Sequence, residues 1–225
     1  CRENLKKGAD LLKLFITPGV PDPFSTFVPS FLSLEEISVA VSEGARLGIP
    51  TAAHCIGGQG LKDCIDGGVD VIEHMYMASE QDVERLAASR CVVDLTSGIF
   101  LDPSREEFLS PANALKVRLN RSRVRENVAR IIKARLPFVL GTDAYHGFLY
   151  REVGYAVELG ADPVTAIQGV TSHAAKVCRL EDRIGKLENG LEADIIAVKG
   201  NPLKDVSRLS QVGLVMKGGV IYRQP

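Results

Sequence analysis

Residues 51–60 read TAAHCIGGQG and residues 69–77 read VDVIEHMYM. Each stretch starts as a short apolar run and meets a histidine where the run ends, His54 in the first and His74 in the second. Between them GQGLKDCIDGG (58–68) reads as a short helix closed by glycines. Strand, helix and strand in that order make a βα repeat, the building block of a parallel sheet. The fold depends on how far this repeat extends. The chemistry depends on whether His54 and His74 are metal ligands at strand ends or ordinary packed histidines.

The alternation persists in both directions. Upstream, DLLKLFIT (10–17) is a strand and SLEEISVAVSEGARLG (33–48) a helix with a serine N-cap, early glutamates and a closing glycine. PTAAHC (50–55) and VDVIEH (69–74) are the next two strands. Downstream, SEQDVERLAASR (79–90) is a helix capped by Ser79, CVVDLTS (91–97) a strand, and 104–135 an interrupted helical region with arginines on its outer face. PFVLGTD (137–143) is a further strand. REVGYAVELG (151–160) and DPVTAIQGVTSHAAKVCRL (162–180) are helices, the second opened by Asp162 and Pro163. After that DIIAVKGNP and VGLVMKGGVIYR are short strands with glycine turns. The expected organisation is an α/β segment of five βα units over 1–180 and a small β segment over 181–225. Five units do not close a (β/α)8 barrel. They form either an open doubly wound sheet or the last five-eighths of a barrel.

Composition narrows the function. The chain has 225 residues, 27 Lys and Arg against 28 Asp and Glu, and a net charge of -1 with no block of like charges. Nothing in that balance favours a nucleic acid or a membrane surface as partner. The opening CRENLKKGAD is polar, and no apolar run approaches the roughly 18 residues of a membrane span. Cys1, Cys55, Cys64, Cys91 and Cys178 are scattered and never form CxxC, so they read as reduced thiols of a cytoplasmic protein. Cys1 opens directly into what looks like the end of a helix, which leads us to expect a chain that begins in mid-fold.

Polar residues sit at the C-terminal ends of the expected strands: Thr17, His54, His74, Thr96 and Asp143. That end of a parallel sheet is where barrels and doubly wound folds build their sites. Lys13, inside LLKLFI, stands out because a buried lysine is costly unless paired or chemically altered. As a neutral amine it would react with CO2 to give a carbamate, an anionic oxygen ligand. Lys13, His54, His74 and Asp143 would then offer oxygen and imidazole donors suited to zinc or a similar divalent ion.

Plainer readings stand beside this one. A histidine after an apolar strand is commonly a packed, hydrogen-bonded residue. A lysine in such a run commonly snorkels to solvent from an edge strand. Asp143 in GTDA also suits a turn cap. Four such residues on four strands, at the expected place on each, favour the metal reading over coincidence. His173, within TSHAAK, reads as structural. His146, three residues after Asp143, reads equally as a substrate contact or a loop residue. Cys55 alternates away from His54, which argues against a Cys/His nucleophile. GGQG (57–60) lacks the spacing of a phosphate-binding loop.

At the level of whole segments, the chain resembles the metal-dependent amidohydrolase superfamily, in its imidazolonepropionase-like and Xaa-Pro-dipeptidase-like branch. The matching pieces, in order, are GADLLKLF, AAHCIGGQGLKDCIDGGVDVIEH, FVLGTDA, VTSHAAKVCRLEDRIGKLENGLEADIIAVKGNPL and VGLVMKGGVIYR. The resemblance implies a (β/α)8 barrel with a small β-sandwich. It implies that Lys13 is carboxylated and bridges two metals. His54 and His74 would bind the second metal, and Asp143 would bind the first and shuttle protons. The family's HxH motif occurs nowhere in the 225 residues, which leaves only Lys13 and Asp143 for the first metal.

The expectation is a metal-dependent hydrolase of amide-type C–N bonds, in a dipeptide or a cyclic amide, with this chain a fragment of the full enzyme. Tyr76, Tyr145 and His146 are the weaker candidates for substrate contact. A remnant of this kind would expose sheet edges and an apolar face, so a complementing N-terminal segment or a homo-oligomer is an expected partner. Two rivals remain: a catalytically dead structural or interaction remnant, and a metal-free α/β domain that binds a small molecule.

Overall fold

The structure, a computed structural model, describes residues 1–143 and 146–224. It divides into two compact units, residues 1–137 and 138–225. The first unit opens with α1 (Arg2–Lys6) and then alternates β1 (Leu12–Phe15), α2 (Leu34–Ala45), β2 (Thr51–Cys55), α3 (Gly58–Gly67), β3 (Val71–His74), α4 (Glu80–Ala87) and β4 (Val92–Leu95). β1 to β4 lie side by side in chain order, and each neighbouring pair is parallel. A doubly wound sheet needs a reversal of strand order; β1 to β4 show none, as expected of a barrel segment.

Local chemistry explains the elements. Ser33 and Glu36 form a reciprocal capping box at α2, and Ser79 and Asp82 form another at α4. In β1, Leu12 and Leu14 are buried while Lys13 and Phe15 point to the opposite, open face. α2 lies close over the buried side: a Cβ on Gly44 would sit 3.3 Å from Leu12 Cδ1 and 3.6 Å from Thr51 Cγ2. β2 is buried along its whole length. Phe15, Phe24, Phe27 and Phe31 are exposed apolar side chains of this unit, and Phe15 stacks on Phe31.

The glycine pair after His54 has a steric role. Gly57 (φ 150°) and Gly58 (φ 73°) turn the chain from β2 into α3. A Cβ on Gly57 would lie 2.8 Å from Met77 Cβ, and one on Gly58 would lie 2.9 Å from the Val28 carbonyl oxygen. GGQG is therefore a tight crossing between two loops.

Past β4 come α5 (Gly98–Leu101), a 3-10 turn (Pro103–Phe108) and α6 (Pro111–Lys133). The interruption expected over 104–135 is confined to residues 109 and 110. Ser110 then caps α6, which opens on Pro111 and runs unbroken for 23 residues. Its arginines are not all on an outer face: Arg121 pairs with Glu106 and donates to the Phe100 carbonyl at 2.6 Å.

The second unit holds β5 (Phe138–Leu140), a 3-10 turn (His146–Phe148), α7 (Leu149–Glu158), α8 (Pro163–Gly169), α9 (Ser172–Val177) and the strands β6 (Ile195–Val198), β7 (Val212–Lys217) and β8 (Val220–Arg223). The single helix expected over 162–180 is two. Asp162 caps α8, but Thr171 leaves the helical region at φ -131°, ψ -99° and starts α9. The β-branched pair Val170 and Thr171 disfavours helix continuation. Gly169, just before the break, brings α8 close enough to β5 that a Cβ there would meet Phe138 and Leu140 at 3.4 Å. His173 consequently lies in the first turn of α9. β6, β7 and β8 form a small antiparallel sheet, with Gly218 and Gly219 at the last hairpin. The fold class is α/β: five strands alternating with helices, a partial barrel, followed by a small β segment. Among the described residues no helix is long and apolar enough to cross a membrane.

Candidate functional site

Register brings the site together. Phe15 pairs with His54, His54 with Glu73, and Glu73 with Asp94. Alternation then places Lys13, Phe15, His54, Glu73 and Asp94 on one face of the sheet. His74, one residue past Glu73, belongs by alternation to the other face. It does not stay there, because β3 ends on two left-handed residues, His74 (φ 79°) and Met75 (φ 53°). Each costs about 1–2 kcal/mol outside glycine. The turn is held by Met75 N–H donating to the Cys55 carbonyl (3.1 Å) and Met77 N–H donating to that of Ile56 (2.7 Å). Its consequence is that the His74 ring meets the His54 ring edge-on, at 4.5 Å and 63°.

Each imidazole is fixed from a second side. His54 stacks on Phe15 with centroids 4.2 Å apart, and its Nε2 lies 3.2 Å from the Pro18 carbonyl. A carbonyl only accepts, so Nε2 carries the proton in that contact. His74 is 3% exposed, with Nδ1 2.7 Å from Thr96 Oγ1 and Nε2 3.7 Å from Glu73 Oε2. Burial, reinforced by His54 and Lys13, pushes the His74 pKa down to about 3. Its ring is therefore neutral at physiological pH and keeps one lone pair.

Lys13 is not enclosed in apolar surroundings. It pairs with Glu73, and its side chain is 46% exposed against 16% for the glutamate. Glu73 is the site residue that sequence reasoning missed. The only local signal was a carboxylate directly before His74, and its partner lies 60 positions away. Thr17, at the end of β1, accepts the Ile56 N–H at 2.9 Å and ties the ends of β1 and β2 together.

Tyr76, a weaker candidate for substrate contact, is 2% exposed. Its hydroxyl lies 2.6 Å from Thr96 Oγ1 and 3.0 Å from the Thr96 carbonyl, behind His74. Asp143 is an exposed residue in left-handed backbone (φ 49°), shortly after β5 of the second unit. Tyr145 lies outside the described residues, as does the side chain of His146. Cys55 is buried. Its contact with Cys64, together with burial, holds the Cys64 thiol well above the ordinary range, which suits inert packing rather than nucleophilic chemistry.

The first unit thus gathers Lys13, His54 and His74, with Glu73 added. Two imidazoles beside a carboxylate are donors of the kind zinc takes. Among the described residues no group of three or more His, Cys, Asp or Glu side chains forms a ready cage. The residues fit a divalent ion in donor chemistry and need a further oxygen ligand to complete its shell.

The amidohydrolase family profile matches residues 1–222. An ochratoxinase of Aspergillus niger is 31% identical over 239 aligned positions, covering 100% of this chain and 48% of the relative. An imidazolonepropionase of Hahella chejuensis is 28% identical over 188 positions, covering 78% of this chain and 42% of the relative. Among solved structures, a Xaa-Pro dipeptidase with methionine bound in its active site shares 32% identity at a TM-score of 0.86, over 99% of this chain and 56% of that one. The crystal structure of the A. niger ochratoxinase shares 29% identity at a TM-score of 0.83, over 100% of this chain and 53% of that one. The chain spans about half the length of the curated relatives it matches. The relatives fall in the branch that the sequence resembles, and the profile match runs from the first residue to the last hairpin: the chain belongs to the amidohydrolase family.

Proposed function

We propose that this chain carries part of the metal centre of a hydrolase that cleaves amide-type C–N bonds in small substrates, dipeptides or cyclic amides. The observation that supports the reading most is the edge contact of two imidazoles at the ends of adjacent parallel strands, beside the Lys13–Glu73 pair. Residues 1–180 would be the barrel segment and 181–225 the β-sandwich segment. His54 and His74 would hold a zinc-like ion, with Lys13 as a carbamate supplying the oxygen ligand and Asp143 completing the set. Such an ion supplies an acidified water and a polarised substrate carbonyl.

The rest falls to the chain's own groups. The Asp143 carboxylate would take a proton on one oxygen and deliver it to the departing nitrogen. The Lys13 ammonium would lose one proton, and the free amine would join its Nζ to CO2 with loss of a second, giving an anionic carbamate and two released protons in all. That carbamate would face Glu73, and two adjacent anions are stable together only with a cation between them. Carboxylation of Lys13 should therefore depend on metal, while the ammonium–carboxylate pair is the form expected without it. The reduced cysteines, three of them buried, fit a reducing compartment such as the cytoplasm.

The Lys13–Glu73 pair also carries a second reading. An ammonium neutralised by a carboxylate is stable with no metal, as a catalytically dead remnant would require. Zinc titration in bicarbonate buffer separates the two. The hydrolase reading expects zinc-dependent loss of the Lys13 ammonium and about one or two zinc ions bound per chain. The remnant reading expects neither.

A further inference from the structure

We infer that Thr96 and Tyr76 form a proton-ordered clamp that locks His74 in its Nδ1–H tautomer and so aims the Nε2 lone pair at the Lys13–Glu73 side of the site. The inference deepens the metal-site reading above and rests on it for its functional meaning, but its geometry stands alone.

Proton bookkeeping carries the argument. Among the described residues Tyr76 Oη, which owns one proton, has two close oxygen neighbours, the Thr96 carbonyl at 3.0 Å and Thr96 Oγ1 at 2.6 Å. The carbonyl has no hydrogen and can only accept, so the tyrosine proton goes there. The contact between Oη and Oγ1 must then be served by the Thr96 hydroxyl proton. With that proton spent, Oγ1 has only lone pairs to offer His74 Nδ1 at 2.7 Å. Nδ1 must therefore carry the hydrogen. Tyr76 Oη, 3.4 Å from Nδ1, supports the same polarity.

The reverse allocation is poorer, because it takes the tyrosine proton away from the Thr96 carbonyl and leaves that buried contact without a donor. Burial raises the stakes, since Tyr76, Thr96 and His74 are each at most 3% exposed and water cannot substitute for a misplaced proton. Phe100 closes the far side of Tyr76 with an edge contact at 4.5 Å, which leaves the phenol little room to swing away. The left-handed backbone at His74 makes sense in this setting, because only that turn delivers the ring to Thr96 on one side and His54 on the other. Thr96 and Tyr76 are positioning residues: they act through His74.

The test uses the full 225-residue chain with histidine ring nitrogens labelled. Two-bond 1H–15N spectra of chelator-treated protein report the His74 tautomer, and competition with a chromophoric chelator reports zinc affinity. Wild type and Thr96→Ser should both show Nδ1–H, with zinc affinities within about twofold of each other. Thr96→Val, which keeps the shape and removes the hydroxyl, should release the tautomer toward Nε2–H and weaken zinc by about tenfold or more. If that variant does not fold, Tyr76→Phe serves: the Thr96 proton loses its acceptor, and His74 should become a mixture of tautomers. Nε2–H in wild type, or Nδ1–H retained in both the Val and Phe variants, overturns the clamp. A tautomer that follows these variants in a chain that binds no zinc upholds the clamp and sinks the metal reading. Tight zinc binding with a tautomer indifferent to both variants does the reverse.

Discussion

In chelator-treated protein His74 should make folding acid-sensitive in a calculable way. Its pKa lies near 3 in the folded chain, lowered first by burial and then by His54 and Lys13. An unfolded histidine titrates near 6.5. Between those values the unfolded chain binds a proton that the folded chain refuses, so stability falls as pH falls, by up to about 1.4 kcal/mol per pH unit. The contribution is fully present above about pH 6.5. About 2 kcal/mol of it is gone at pH 5, and the loss levels off below about pH 3. Replacing His74 with Gln removes the titration. Urea unfolding of wild type and His74→Gln at pH 7 and pH 5 then reads the difference between the two pH slopes, in which groups unaffected by the substitution cancel. Wild type should lose about 2 kcal/mol more than the variant over that interval. Equal slopes would mean that His74 titrates normally in the fold, and would refute both its enclosure and its assignment as a neutral donor.

Three further substitutions test neighbouring parts of the account. Gly58→Ala forces a Cβ into left-handed backbone and to within 2.9 Å of the Val28 carbonyl oxygen, and should cost about 2–4 kcal/mol in urea unfolding; an unchanged midpoint would contradict the tight crossing. Ser79→Ala removes the hydroxyl that accepts the Asp82 N–H at 3.2 Å and donates to Asp82 Oδ2 at 2.7 Å, and thermal or urea unfolding should show a loss of about 1 kcal/mol. In a chain that turns over an amide substrate, Asp143→Asn should lower kcat by about a hundredfold or more while bound zinc is retained; normal turnover would remove Asp143 from proton transfer.

Features set by neighbours in the chain were legible. Ser33 and Ser79 announce their helices because a capping box needs only residues three apart. The apolar runs ending at His54 and His74 announce β2 and β3. Features that depend on register or on a single dihedral were not. The Lys13–Glu73 pair spans three strands, and nothing near either residue names the other. Simple alternation would have placed His74 on the wrong face, and only its left-handed backbone returns the ring to His54. Tyr76 looks like a loop residue in MYM, yet β3 turns so sharply that it folds under Thr96. The break at Thr171 was hidden because α8 and α9 flank it with ordinary helical pattern, and only the β-branched Val170 and Thr171 hint at it.

The central claim is that His54 and His74 are ligands to one metal ion. Diffraction at the zinc absorption edge, from crystals of the full chain grown with zinc and bicarbonate, tests it most directly. The account predicts an anomalous peak about 2.0–2.1 Å from His54 Nδ1 and His74 Nε2, with a carbamate on Lys13 beside it. A folded chain with zinc elsewhere, or with the two rings still in edge contact, no peak between them and Lys13 still paired to Glu73, would contradict it.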